Sequence, residues 1–421
     1  MLFRSGLAVD ASNEATIEAR NTATTESSGA AVGAVLAFNT VGWQAQNVLF
    51  QAVDALLGTS IGNEQPASSY AEISNTLLDI GGDLSLSAVS TPSIDAALEN
   101  SVTSTGGSAA VGLVLASNMS SSRAKAVLTP EVITPGAQKL GEGETLLVGG
   151  NASLRSSDTA SIVAQIGGGT DAGGGTSLGG RFVRNDVRSA VLTLVDQAPL
   201  EAGGDIEILA RGSAAILADI SDEPLPAQDG ESAAAGTNAT TTDSATATAT
   251  TDAAATDAAA TGDGGGSTAP GLTLSGLIAT NLVLSDTQAQ VLNSSLSAGG
   301  SLAVTARNAA SIEANNSATA SGDGTSIGVT LAFNTIGWKA QNVLFNALDA
   351  LLGSAIGDEQ PVLVLATVTG TELKAEGDVS VQAESSGSIN ATVANMASSS
   401  GGTSAGMVLA SNLLDARVRA T

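Results

Sequence analysis

Three aspartates, Asp83, Asp205 and Asp378, each follow a glycine in the words GGDLSLSA, GGDIEILA and EGDVSVQA. Carboxylates stacked at equivalent turns are ligands that a hard cation such as calcium requires. Two observations weigh against that chemistry. Asn151 and Ser301 hold the same place in sister words, and Gly6 holds it in a sixth. The calcium-binding nonapeptide GGxGxDxUx is also absent. Short polar residues at turns ordinarily hydrogen-bond nearby backbone, and that is the role expected here. No cofactor is therefore expected, with calcium at the three aspartates as the alternative.

Other groups that could do chemistry are sparse. The densest basic cluster is Arg181, Arg184 and Arg188 in RFVRNDVR. A solvated strand face is expected there, with a site for acidic glycans as the sharper alternative. The glycine-rich GGGTDAGGGTSLGG (167–180) lacks the Gly-Lys-Ser/Thr of a phosphate-cradling loop and reads as a turn. The chain has no Cys and no His, which excludes thiol catalysis, histidine acid–base chemistry, disulfides and the usual zinc sites. A polysaccharide-acting β-helix enzyme remains a remote alternative. Glycoside hydrolysis typically needs paired carboxylates, and no such pair recurs beside a basic partner. The chain is expected not to be an enzyme.

Composition narrows the partners. Aromatics make up 2% of 421 residues, Gly counts 49, and the net charge is -26. Few large side chains suit thin β-layers filled by Ala, Val, Ile and Leu. An acidic surface repels phosphate backbones, so no nucleic-acid partner is expected. No apolar run approaches the ~18 residues of a membrane span. Strong acidity suits secreted and salt-exposed chains.

Repeats organise the sequence. Residues 6–66 align without a gap on 301–361, with 38 identities in 61 positions. Met1–Ser5 falls outside that match, and its LFRS is what a sequencing-adapter end would encode. Residues 1–5 are therefore expected to be a non-native leader on a metagenomic fragment of a longer chain. A shorter unit lies inside the long one. Its anchors are Gly6, Asp83, Asn151, Asp205, Ser301 and Asp378, and an Asn follows each at 39, 118, 185, 281, 334 and 412. The basic spacings, about 34 and 20, give a unit of 54 residues. Longer spacings mark insertions after Asn39, Asn118 and Asn334 and between Asp205 and Asn281. The last contains the low-complexity stretch 221–269, expected to be a disordered loop because it has too little apolar surface to offset ordering.

Within a unit, GDLSLSA alternates as a half-buried strand, SIDA gives a second short strand, AVGLVLASN a third, and a fourth run leads to the next anchor. Units too small for their own core must stack. Four short strands suggest an all-β parallel solenoid with about two coils per unit; tandem antiparallel sandwich or hairpin units are the alternative. Each Asn is expected at a strand end, bonding backbone, with a buried Asn ladder along the solenoid as the alternative. The organisation expected is β-repeat units over 6–220 and 270–421, with short amphipathic helical insertions at 43–66 and 338–361. Leu49, Phe50, Val53, Leu56 and Leu57 form an apolar helical stripe, and Leu344, Phe345, Leu348, Leu351 and Leu352 repeat it. Trp43 and Trp338 open these segments. The stripes are expected to pack on the solenoid flank, with partner docking as the alternative.

The cycle of GGD-alternating strand, SIEA, Gly-rich turn and VGxxLAxN resembles giant repetitive bacterial surface proteins of the filamentous haemagglutinin-like adhesin type. The resemblance implies an elongated, non-catalytic stalk, secreted or at the bacterial cell surface. Its partners would be neighbouring repeats of the same longer chain, with host or environmental glycans and proteins bound through other parts.

Overall fold

The computed structural model describes residues 2–3, 5–42, 65–106, 108–129, 145–172, 175–221, 271–337 and 361–421. The expected helical insertions fall almost wholly outside these residues, as does the low-complexity stretch. No helix occurs among the residues described.

The chain winds through six coils of a parallel β-solenoid. The second coil serves as the pattern: a short strand Asp79–Ile80, a long strand Leu84–Ser104, and a long strand Ala109–Thr129 running back over it. Equivalent strands pair from coil to coil into one short sheet and two long sheets. Every described pairing is parallel, which excludes the antiparallel alternative.

Two expectations are corrected. One 54-residue unit makes one coil, not two: Ala152 pairs with Ile206, and Leu154 with Ile208. The four short strands are two long ones, because the backbone stays extended through SIDA and through the stretch after Asn118. A strand of 21 residues is about 70 Å long, whereas six coils stack to only about 24 Å. These six coils therefore form a slab whose long axis follows the strands, rather than a rod.

Parallel pairing in flush register places each side chain on its equivalent one coil away. Ile17, Ile94, Ile162, Ile216, Ile312 and Ile389 form one column of six. Ala19, Ala96, Ala164, Ala218, Ala314 and Ala391 form the next. Both point inward, so I and A of each SI-x-A word fill the space between the long sheets. In the short sheet Leu146, Leu200, Leu296 and Leu373 close one edge of the same core. Small side chains let the facing sheets approach, and each buried Ile contributes roughly 1.5–3 kcal/mol.

Insertions leave this frame without disturbing it. In the first coil the strand Ala31–Val41 pairs with Ala110–Ser120, and Ala67–Ser74 resumes opposite Ser122. Only Ser121 is passed over. Gly42 makes the exit with φ +64, and an added Cβ would lie 2.1 Å from the Ser121 carbonyl oxygen. Gly337, at φ +71, repeats the device in the fifth coil. These positions need glycine for both conformation and space.

Cutting one inward Ile should be costly and trimming its outward neighbour should not. Ile216→Ala is expected to lose about 2–5 kcal/mol in urea unfolding followed by circular dichroism. Leu217→Ser, on the solvent side of the same strand, is expected to stay within about 0.5 kcal/mol.

Candidate functional site

The turn anchors form a column, one per coil, in which Asp83, Asn151, Asp205 and Ser301 each engage the coil that follows. Oδ1 of Asp83 accepts the Asn151 backbone N–H at 2.7 Å. Oδ1 of Asn151 accepts that of Asp205 at 2.8 Å, and Oδ1 of Asp205 that of Ser301 at 2.7 Å. Oγ of Ser301 accepts the Asp378 N–H at 3.3 Å. Any short side chain with an acceptor oxygen does this work, which explains why Asp, Asn and Ser interchange here. The preceding glycine is set by the same contact. A Cβ on Gly150, Gly204 or Gly300 would come within 2.1–2.3 Å of the acceptor oxygen below. Asn151 separates Asp83 from Asp205 and Ser301 separates Asp205 from Asp378, so the carboxylates are not gathered together. No group of three or more His, Cys, Asp or Glu suited to a metal ion occurs among the described residues.

A second ladder runs through the core. Asn39, Asn118, Asn185, Asn281, Asn334 and Asn412 share one register position. Each Nδ2 donates to Oδ1 of the next, at 2.8 Å for the first four links and 2.9 Å for the last. Asn118, Asn185, Asn281 and Asn334 are fully buried. This corrects the strand-end expectation and bears out the ladder alternative. The Asn column lies within the long strands and bonds to itself, because stacking offers a buried amide an identical amide one coil away.

The interior also holds a carboxylate. Asp158 is fully buried between the long sheets, in a column with Ser90, Gly212 and Asn308. Hydroxyls of Ser122 and Ser189, on the facing sheet, donate to its Oδ2 at 2.5 and 2.7 Å. Its Oδ1 meets no donor among the described residues. Burial pushes its pKa up to about 6, against the pull of those hydroxyl bonds. Nothing in the unit pattern flags this residue, since its neighbours in the column are Ser and Gly.

The arginine cluster divides by strand alternation. Arg181 points into the core and its guanidinium donates to the Gly168 carbonyl. Burial lowers its pKa to about 10. Arg184 and Arg188 point outward and hold the Asp186 carboxylate between them, at 2.7 and 3.1 Å. The solvated face expected for all three therefore holds for two at most, and both of those serve an ion pair. The insertion residues Trp43, Leu49, Phe50, Val53, Leu56, Trp338, Leu344, Phe345, Leu348 and Leu351 lie outside the described residues. No helix long and apolar enough to cross a membrane occurs among the described residues.

Breaking the amide ladder at its middle should expose two polar groups at once. Asn281→Ala strands Asn185 Nδ2 and Asn334 Oδ1, and is expected to cost about 2–4 kcal/mol by urea unfolding. Asn281→Asp keeps the acceptor and sets carboxylate against Asn334 Oδ1, so its loss should shrink as pH falls and the acid protonates. Asp158 predicts the same direction of pH effect from a native residue. Its folded pKa lies above the unfolded value near 3.9, so the folded chain binds the proton more tightly. That stability is fully present below about pH 4 and is lost as pH rises through about 6. Asp158→Asn is expected to gain on the order of 3 kcal/mol at pH 8 and nothing at pH 4. An equal effect at both pH values would contradict the assignment.

The chain matches no protein family, no curated protein and no solved structure.

Proposed function

We propose that this chain is a non-catalytic stalk segment of a large secreted or cell-surface protein of the filamentous haemagglutinin-like adhesin type. The carrying observation is that one set of columns runs unbroken from the first coil to the last. Ile, Ala and Asn occupy the same positions in all six coils, and the turn acceptor links each coil to the next wherever the anchor has a side chain. A fold built this way gains length by adding coils, with each new coil contacting only its neighbours. The Asn ladder bonds within its own column and Asp158 bonds across the core, which makes them part of the frame. In this reading the chain's partners are further coils of the same kind, and adhesion to glycans or proteins belongs to other parts of a longer molecule.

The test is additive growth. Inserting a second copy of residues 6–300 adds one whole block of four coils. The stacked dimension should rise by about 19 Å, at ~4.8 Å per coil, with the ~70 Å strand dimension unchanged. Small-angle scattering and electron micrographs of both chains would measure this. Two separate compact particles, or no rise in the stacked dimension, would sink the proposal.

A further inference from the structure

The outer faces of the two long sheets differ sharply. Outward positions on the first long sheet carry mostly polar and charged side chains, as in the row Glu18, Asp95, Val163, Leu217, Glu313 and Asn390, where four of six are polar. The second long sheet does not follow that rule in its first half. There the three outward columns that begin at Val32, Ala34 and Leu36 span eighteen positions. All eighteen are Val, Leu, Ile, Phe, Met, Ala or Gly. The third column reads Leu36, Leu115, Phe182, Ile278, Leu331 and Leu409. Val32 is 68% exposed, Leu36 57% and Phe182 45%, while Leu115, Ile278 and Leu331 in the same column are half-buried. The inward partners on the same strands, such as Ala116 and Ala279, are fully buried. A strand apolar on both faces is one that expects cover on both.

We propose that this apolar face binds the same face of a second copy of the chain, across a two-fold axis. Three properties of the face select that occupant. Its three columns are about five residues wide and six strands tall, a flat projection of roughly 480 Å². That lies in the upper half of the range covered by a monomer's largest apolar patch, a size at which such patches are often functional. A flat apolar sheet is complementary to itself, and two such sheets pack about 10 Å apart. Charge supplies the third property. Copies with a net charge of -26 repel wherever carboxylates meet, and these columns contain none.

Light scattering on the full chain, with cross-linking, tests the assignment. The expected particle is a dimer of 82 kDa, twice 41.0 kDa, favoured by added salt as repulsion is screened. Phe182→Lys with Leu331→Lys should give a 41.0 kDa monomer with an unchanged circular dichroism spectrum, since both side chains point away from the core. The chain lacks cysteine, so Ile278→Cys near the middle of the face reports on a single site. A short bis-maleimide should link it to its copy, while Leu217→Cys on the opposite outer face should stay unlinked. A monomeric natural sequence overturns the proposal. If deleting 43–64 and 338–360 from that monomer then causes association, the face belongs to the chain's own insertions. Oligomers that grow past two copies and ignore the lysine substitutions mean end-to-end stacking, and also overturn it.

Discussion

Each long strand is hydrogen-bonded to the equivalent strands above and below, and this pairing sets every side chain against its own counterpart one coil away. The rest of the molecule follows from that constraint. A residue that packs well against itself can be used in every coil, and Ile and Ala are used in this way. A polar residue can be used inside only if it also satisfies itself. Asn does so because a primary amide is donor on one side and acceptor on the other. Asp does not, because a carboxylate above a carboxylate has no proton to share. The core residue Asp158 accordingly stands in a column where its neighbours are Ser90 and Gly212, and it draws its hydroxyl partners from the facing sheet.

The same constraint explains what could be read in the sequence. The unit length, the six anchors and the six asparagines were all visible as a repeating text, and every one of them aligns in the fold. Strand alternation was equally clear in GDLSLSA and GDIEILA. Strand length was not. The inward column Ser90, Asp158, Gly212 and Asn308 lies in the middle of each strand, and those are residue types that ordinarily mark turns. They broke the pattern into pieces, which doubled the apparent number of strands and so of coils. The Asn positions were misplaced for the same reason. Asn prefers corners when judged alone; its bond to an identical residue 53 to 96 positions away is invisible to local reasoning.

Exposure was the other property hidden from the sequence. AVGLVLASN and its sisters read as apolar strands, and one side of them is core. Whether the second side has a cover depends on what else reaches it, which no period or propensity encodes. The split of RFVRNDVR shows the reverse case. Simple alternation already assigns Arg181 to one face and Arg184 and Arg188 to the other, yet clustering in the text suggested a common role.

The exits at Gly42 and Gly337 carry a consequence for how such a molecule changes over time. The distance from one anchor to the next varies among 77, 68, 54 and 96 residues, yet every coil closes on the same register. Chain length and coil geometry are therefore uncoupled. A longer excursion adds only a slowly growing loop-closure cost, about 0.6 kcal/mol per doubling. The solenoid can thus act as a chassis in the evolutionary sense: peptide is gained, lost or exchanged at a few sockets, while the frame that holds the sockets inherits no strain from the experiment.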